Sequence, residues 1–598
     1  MPEAQVQVGG EADPRSIRIN GADPNFILAS DVIRAAAVSE IDTRALDFLE
    51  IAAAVFAADS SVSRGGPPRQ EMGKAWRREF TFRLPVRHPE TWSRPDVAAA
   101  LVAAVEFLTE DHVRFDFVAA DPDPSPEPYL DLQPEEHSFQ ADEVILFSGG
   151  LDSFAGALET LSTTLAKVVL VTHGSAQKVI PRQVELGKYL QERFPRRVLH
   201  VNVQVRRKGQ EARDASQRSR TLLFAALGQA VATTFGARRI SFYENGVVSH
   251  NLPISQQIVG TMATRTTHPL SLKLVGDLID LVWPGRERIS NRYEWRTKTE
   301  VVRTIAEHGG AERIPRAVSC TSVREQTRRH THCGACTQCL DRRFAILAAG
   351  LSDRDFVEGY ATDVLFGARH TTSSRTIAIE WTRHALRLGK LDATSSMSEF
   401  PLEIGRILQG HPDMAKASAL DLTVAMHRRH SEAVRAVLAD ALKNRAREVA
   451  DHALPGDSLL VLHLGQATGE TGGPEPRYVG TVQDSFQSAS GTPVGRTLPR
   501  RSGAHCGPAG RARGHRHGRS RRPAPRGRLG RPHARDAGRR HRRSCMTRAA
   551  PIPDMVTLHV PFRIMKRGGR KEMHLPNGAV QPRRTDGALV KALARAFR

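Results

Sequence analysis

Cysteine is scarce in this chain: there are six in 598 residues, and four of them fall between 320 and 339. So few exclude a disulfide framework, and the clustering points to a metal site in a reducing compartment. No stretch reaches the ~18 uncharged apolar residues of a membrane span. The opening MPEAQVQVGG has neither the basic nor the apolar region of a signal peptide. A cytoplasmic protein without a membrane partner is expected. Acidic charge is almost absent from one segment, residues 491–550, which hold 18 Arg, one acid (Asp536) and no Lys. That segment carries +17 and residues 551–598 carry +7 of the formal net charge of +22, which leaves −2 on residues 1–490. The basic balance therefore gives no reason to make the body a nucleic-acid binder, although the tail is one in principle.

What remains is an ordinary globular composition, 40% hydrophobic and 25% charged. The length suffices for three to four domains of ~150 residues. Residues 1–140 read as an N-terminal accessory α+β domain. It has amphipathic helices over Arg44–Phe56 and Pro95–Leu108, a strand over Glu79–Leu84, and a Pro/Asp-rich linker at 121–128 (DPDPSPEP). From 141 to 350 short apolar strands (144–147, 168–172, 198–203, 239–243) alternate with helices (153–161, 221–235). This pattern predicts a doubly wound parallel sheet, covered on both faces. Residues 351–480 read as mainly helical, with Ala419–Leu454 the longest candidate. The segment 481–548 is Arg/Gly/Pro-rich, lacks periodicity and is expected to be disordered; 549–598 form a short C-terminal segment with a strand over 555–564.

Two motifs carry chemistry. The first is Ser148-Gly149-Gly150-Leu151-Asp152-Ser153, set between a buried strand and a helix. Such a turn points backbone N–H groups at a helix N-terminus, glycines permit close approach of a phosphate, and Ser148 and Ser153 add hydroxyl donors. Asp152 either holds Mg²⁺ on the phosphates or caps the helix. A plain β–α turn is the simpler reading of SGG alone; the full hexapeptide between these elements favours a phosphate site. No G-x-x-x-x-G-K-[ST], G-x-G-x-x-G or G-x-S-x-G occurs, which removes the P-loop, the dinucleotide fingerprint and the hydrolase elbow.

The second motif is Cys320, Cys333, Cys336 and Cys339, spaced C-x12-C-x2-C-x2-C. Two-residue spacings present several thiolates to one tetrahedral ion, and four thiolates complete the shell, so the zinc would be structural. A redox CxxC pair is the lesser reading. His330 and His332 are alternatives for one ligand but read as solvated loop residues.

SGGLDS resembles the PP-loop of the N-type ATP pyrophosphatases. The resemblance implies an adenine nucleotide alpha hydrolase-like fold, with ATP and Mg²⁺ bound where Ser148, Gly149, Gly150, Leu151, Asp152 and Ser153 cradle pyrophosphate. Together with Cys320 and CGACTQCLDRRFAILAAG (333–350), the chain resembles the 7-cyano-7-deazaguanine synthase (QueC-like) family, whose tail Arg342, Ala345 and Gly350 match. Arg218-Ser219-Arg220 and Thr297-Lys298 also resemble family positions. The implied catalytic residues are Asp152, Ser153 and Lys298, with Arg220 on nucleotide or phosphate. The implied reaction adenylates a deazapurine carboxylate, which ammonia converts to an amide and a second ATP to a nitrile.

The loops THGSAQ (172–177), Glu244-Asn245-Gly246 and Ser249-His250-Asn251 depart from the family's substrate loops. With the added N-terminal and helical regions, the layout resembles the QueC-like component of Qat-type anti-phage operons. That likeness implies an amine acceptor on a partner protein from the operon. Another PP-loop activity, such as RNA thiolation or amidation, and an inactive zinc-stabilised defence subunit are the alternatives.

In the tail, Arg, Gly, Ala, Pro and His share GC-rich codons. An out-of-frame reading is favoured over an evolved binder, with Met546 the start of a neighbouring frame; Cys506 and Cys545 receive no role.

Overall fold

The computed structural model describes residues 3–20, 23–64, 76–121, 139–174, 178–208, 218–254, 265–285, 289–322, 326–467, 563–567 and 570–574. It divides into two compact units, Met1–Thr481 and Val482–Arg598.

The first unit begins with strands β1 (Ala4–Val8), β2 (Arg15–Ile17) and β3 (Phe26–Leu28), then helices α1 (Asp31–Ala37) and α2 (Thr43–Ser61). Strand β4 (Glu79–Val86), helices α3 (Pro89–Trp92) and α4 (Pro95–Thr109), and strand β5 (His112–Ala119) follow. Four of these strands form a sheet in the order β2-β1-β4-β5, antiparallel except for the parallel pair β4–β5. Along β4 buried and exposed residues alternate, the signature of a sheet covered on one face. The periodicity over 44–56 predicts an amphipathic helix, but α2 is buried nearly all round, its charged Asp47, Glu50 and Asp59 included. Alanines at 52–54, 57 and 58 keep it slim enough to be packed on every side. Its Phe48 stacks on Trp92 (5.9 Å between centroids) and leans on Trp283 (6.1 Å).

The chain then alternates as expected: β6 (Glu143–Leu146), α5 (Leu151–Thr163), β7 (Val168–His173), α6 (Ile180–Arg193), β8 (Val198–Val203), β9 (Val205–Arg207), α7 (Arg220–Thr234), β10 (Arg239–Phe242), α8 (Gly246–His250), α9 (Pro269–Val282), β11 (Ser290–Asn291) and α10 (Lys298–Glu307). Five strands form one parallel sheet in the order β11-β10-β6-β7-β8, with Val144 opposite Val169 and Ile240. This is the doubly wound arrangement. The direction of winding reverses between β6 and β10, and such reversals open a crevice at the carboxyl ends of the strands. One apolar core fills the face that bears α2, α7, α9 and the N-terminal sheet. A second fills the face that bears α5, α6 and α10. A short antiparallel pair, β3–β9, stitches the N-terminal region to the edge of the winding.

Beyond the sheet come α11 (Thr337–Ala348), α12 (Thr372–Leu388), α13 (Ala393–Glu399), α14 (Pro401–Gln409), α15 (Lys416–Asn444), α16 (Ala446–Ala450) and α17 (Leu459–Ala467). This region is helical, as expected, but the longest helix stops at Asn444 instead of running to Leu454. Residues 468–562, with the basic segment, lie outside the described residues. In the second unit β12 (Arg563–Arg567) and β13 (Arg570–His574) pair antiparallel; most of the strand expected over 555–564 falls outside the description. No helix among the described residues is long and apolar enough to cross a membrane.

Candidate functional site

The turn from β6 into α5 sits at the winding reversal. Gly149 has φ +76°, and a Cβ there would lie 2.7 Å from Cγ of Gln183, so glycine is required on two counts. Gln183 Nε2 donates to the Ser148 carbonyl (3.0 Å), and the Val318 N–H donates to that of Gly149 (3.1 Å). The loop is thus gripped by α6 on one side and by the chain leading to Cys320 on the other. Ser148 Oγ lies 3.1 Å from Ser153 Oγ, and the Gly150 N–H donates to Ser148 Oγ (3.3 Å). The two hydroxyls face the same turn.

Asp152 does not cap α5. The cap is Gly150, and no side chain closes it. Instead Asp152 Oδ1 accepts from the Asn245 N–H and from Asn245 Nδ2 (both 3.2 Å), and Oδ2 pairs with Lys298 Nζ. Both partners of the pair are buried. Lys298 is the first residue of α10, where a Thr297–Glu300 capping box fixes the helix start. Burial alone would push the Lys298 ammonium down, but the Asp152 and Glu244 carboxylates outweigh it and hold its pKa above the usual value. The Lys298 side chain is therefore a fixed cation beside the 148–153 turn.

Two further acids border this pair. Glu244, partly buried at the end of β10, is pushed up to about 8 by burial and by the Asp152 charge, against the pull of Lys298. Asp341, buried on α11, is pushed up to about 6 by burial, although its Oδ1 accepts from Trp381 Nε1 (2.8 Å).

Arg220, the first residue of α7, is close enough to act electrostatically on Glu244 and on His173 at the end of β7. Its guanidinium lies 4.8 Å from the Phe224 ring centroid, and its Nε is buried without a hydrogen-bond partner. His173 Nε2 bonds to the Val205 carbonyl (3.0 Å), and burial with the nearby Arg220 pushes the imidazole down to about 4, so it is neutral near pH 7. Arg218 bonds to Glu110 (2.8 Å).

The four cysteines converge: their Sγ atoms all lie within 4.8 Å of one another, and Cys333 Sγ is 3.8 Å from Cys339 Sγ. A tetrahedral ion with metal–sulfur bonds of about 2.3 Å requires sulfurs about 3.8 Å apart. N–H groups of Cys333, Ala335 and Cys336 point at thiol sulfurs at 3.4 Å, the outer-shell pattern that steadies thiolate ligands. Gly334, at φ +77°, lets this knuckle pass the Thr362 carbonyl, which a Cβ would approach to 1.8 Å. This cluster is a candidate metal centre.

His332, expected to be solvated, is buried instead. It accepts from the Ser319 N–H (3.4 Å), and its ring lies 5.1 Å from that of Tyr360, because the chain pairs locally with Tyr360. Arg342 reaches no ligand site: it bonds to the carbonyls of Ala317 and Ile314 (2.9 Å each) and to Asp355 (3.0 Å), bracing the segment before Cys320.

Of the residues expected at the site, Ser148 meets Ser153 and Asp152 meets Lys298, while Arg220 stands to one side through its field on Glu244. Sequence reasoning missed Gln183 and Asp341. Nothing distinguishes Gln183 from other polar residues of its helix, whereas Asp341, an acid two residues after a metal-type cysteine, offered a signal. No family model and no curated protein matches the chain.

Proposed function

We propose that the chain is an ATP-dependent enzyme of the PP-loop type, similar to the 7-cyano-7-deazaguanine synthases, which activates a carboxylate as its adenylate. The observation that carries the reading is the hexapeptide loop at the winding reversal, with Asp152 tied to the buried cation Lys298. In this reading a carboxylate oxygen of the acid attacks the α-phosphorus of ATP, the α–β phosphoanhydride bond breaks, and pyrophosphate leaves. The N–H groups of the first turn of α5, the Ser148 and Ser153 hydroxyls and Lys298 stabilise the charge on the departing pyrophosphate. Asp152 is the residue that would hold Mg²⁺ on the phosphates, where the ion neutralises charge. Attack by an amine on the acyl carbon then forms the amide and expels AMP.

Zinc is the ion that suits the cysteine cluster. Four thiolates in tetrahedral spacing favour it and leave no open position for substrate, so its part is structural. The acid and the amine would enter beside Glu244, His173 and Arg220. Incubating the purified protein with Mg-ATP and a panel of carboxylates, deazapurine acids among them, tests the reading. One acid is expected to elicit AMP and pyrophosphate in equal amounts; ADP and phosphate as products would overturn it.

A further inference from the structure

The N-terminal region has no place in the chemistry above, yet a buried carboxylate on α2 reaches the turn that carries Arg220. Near the end of α2, Asp59 is 3% exposed. Its Oδ2 accepts from the Ser219 N–H (3.0 Å) and from Ser219 Oγ (2.8 Å), and its Oδ1 accepts from Arg78 Nη2 (2.6 Å). Ser219 is the N-cap residue of α7, and its own side chain caps nothing. A carboxylate from another element thus satisfies the cap residue's N–H at the positive end of the helix dipole. Burial alone would raise the Asp59 pKa, but Arg78 and the two Ser219 bonds outweigh it and hold the group ionised.

The residues on either side of Ser219 point in different directions. Arg218 bonds to Glu110 and lies 5.1 Å over the Trp76 ring, inside a buried ionic network with Arg78, Arg64, Asp111 and Arg265. Arg220 lies 4.8 Å over the Phe224 ring, whose centroid is 5.4 Å from that of His173 at the end of β7, and it acts electrostatically on Glu244. The turn 218–220 is therefore anchored in the N-terminal region on one side and delivers a cation to the candidate site on the other.

We propose that Asp59 is a positioning residue for anion binding: through Ser219 it fixes the start of α7, and with it the Arg220 guanidinium, for a phosphate or carboxylate group at the carboxyl ends of the strands. The inference rests on the phosphate-site reading above and gives the N-terminal region a task within it. A half-buried arginine whose buried Nε has no partner binds an anion well only if its backbone is held still, because ordering it on binding would cost affinity.

The test uses the full chain, with Mg²⁺ and inorganic pyrophosphate as the probe. Asp59→Ala is expected to weaken pyrophosphate binding about ten-fold and to speed amide exchange across residues 219–223. Asp59→Asn, which keeps an oxygen for the Ser219 N–H, should recover most of that affinity. Asp47→Ala is the control: Asp47 is as buried on the same helix but serves Arg87, His88 and Trp92. It should lower the melting temperature without changing pyrophosphate affinity. Equal weakening by Asp47→Ala, or unchanged binding and exchange in Asp59→Ala, would overturn the inference. If the wild type fails to bind pyrophosphate, the phosphate-site reading falls; the exchange at 219–223 still decides whether Asp59 holds the turn.

Discussion

Asp152 and Lys298 come from opposite ends of the winding, one from the first turn of α5 and the other from the start of α10. Their pairing brings two distant segments to one point and keeps Lys298 charged in a buried place, where that charge alone would be costly. Glu244 is different, because burial and the Asp152 charge push it towards the neutral form. Its pKa of about 8 in the folded chain lies above the ~4.3 of an unfolded glutamate, so the folded state holds a proton that the unfolded state has released. That contribution to stability is fully present below pH ~4.3 and is lost as pH rises towards 8. Glu244→Gln should therefore flatten the decline: thermal melting should match wild type near pH 5 and exceed it at pH 8. A variant curve parallel to wild type across that range would show that Glu244 is ionised throughout.

At the scale of elements, the loop and the cysteine cluster are coupled. Val318, two residues before Cys320, donates its N–H to the Gly149 carbonyl. Arg342 braces the same segment from α11. Losing an ion held by the four cysteines would therefore loosen the 148–153 turn as well as the knuckle. Cys336→Ser is expected to drop bound zinc well below one per chain, lower the melting temperature, and raise amide exchange at Val318. Full metal content with unchanged exchange would place the coupling elsewhere. These elements were legible in the sequence because short spacings and a hexapeptide encode them locally. Asn245 as a partner of Asp152 was less so, since it depends on how β10 lies beside β6, and Gln183 was not legible at all.

For the whole molecule, strand–helix alternation over 141–350 foretold the parallel sheet, because period and length suffice to identify buried strands. The burial of α2 could not be foretold: a run of small residues does not say that both a sheet and α7 cover it. One apolar core runs from the N-terminal sheet through α2 to the face of the central sheet. A fragment beginning at residue 141 would leave that face bare, and it is expected to be insoluble or partly folded by circular dichroism and amide exchange. A soluble, cooperatively melting fragment would show the N-terminal region to be dispensable for folding.

The central claim is that the loop at the winding reversal splits ATP between its α- and β-phosphates. The most direct measurement is the nucleotide product formed by wild type and by Asp152→Asn in the presence of an activating carboxylate. The account predicts AMP with equimolar pyrophosphate from the wild type and a fall of about 10² or more in the variant. Release of ADP, or equal AMP formation by both proteins, would contradict it.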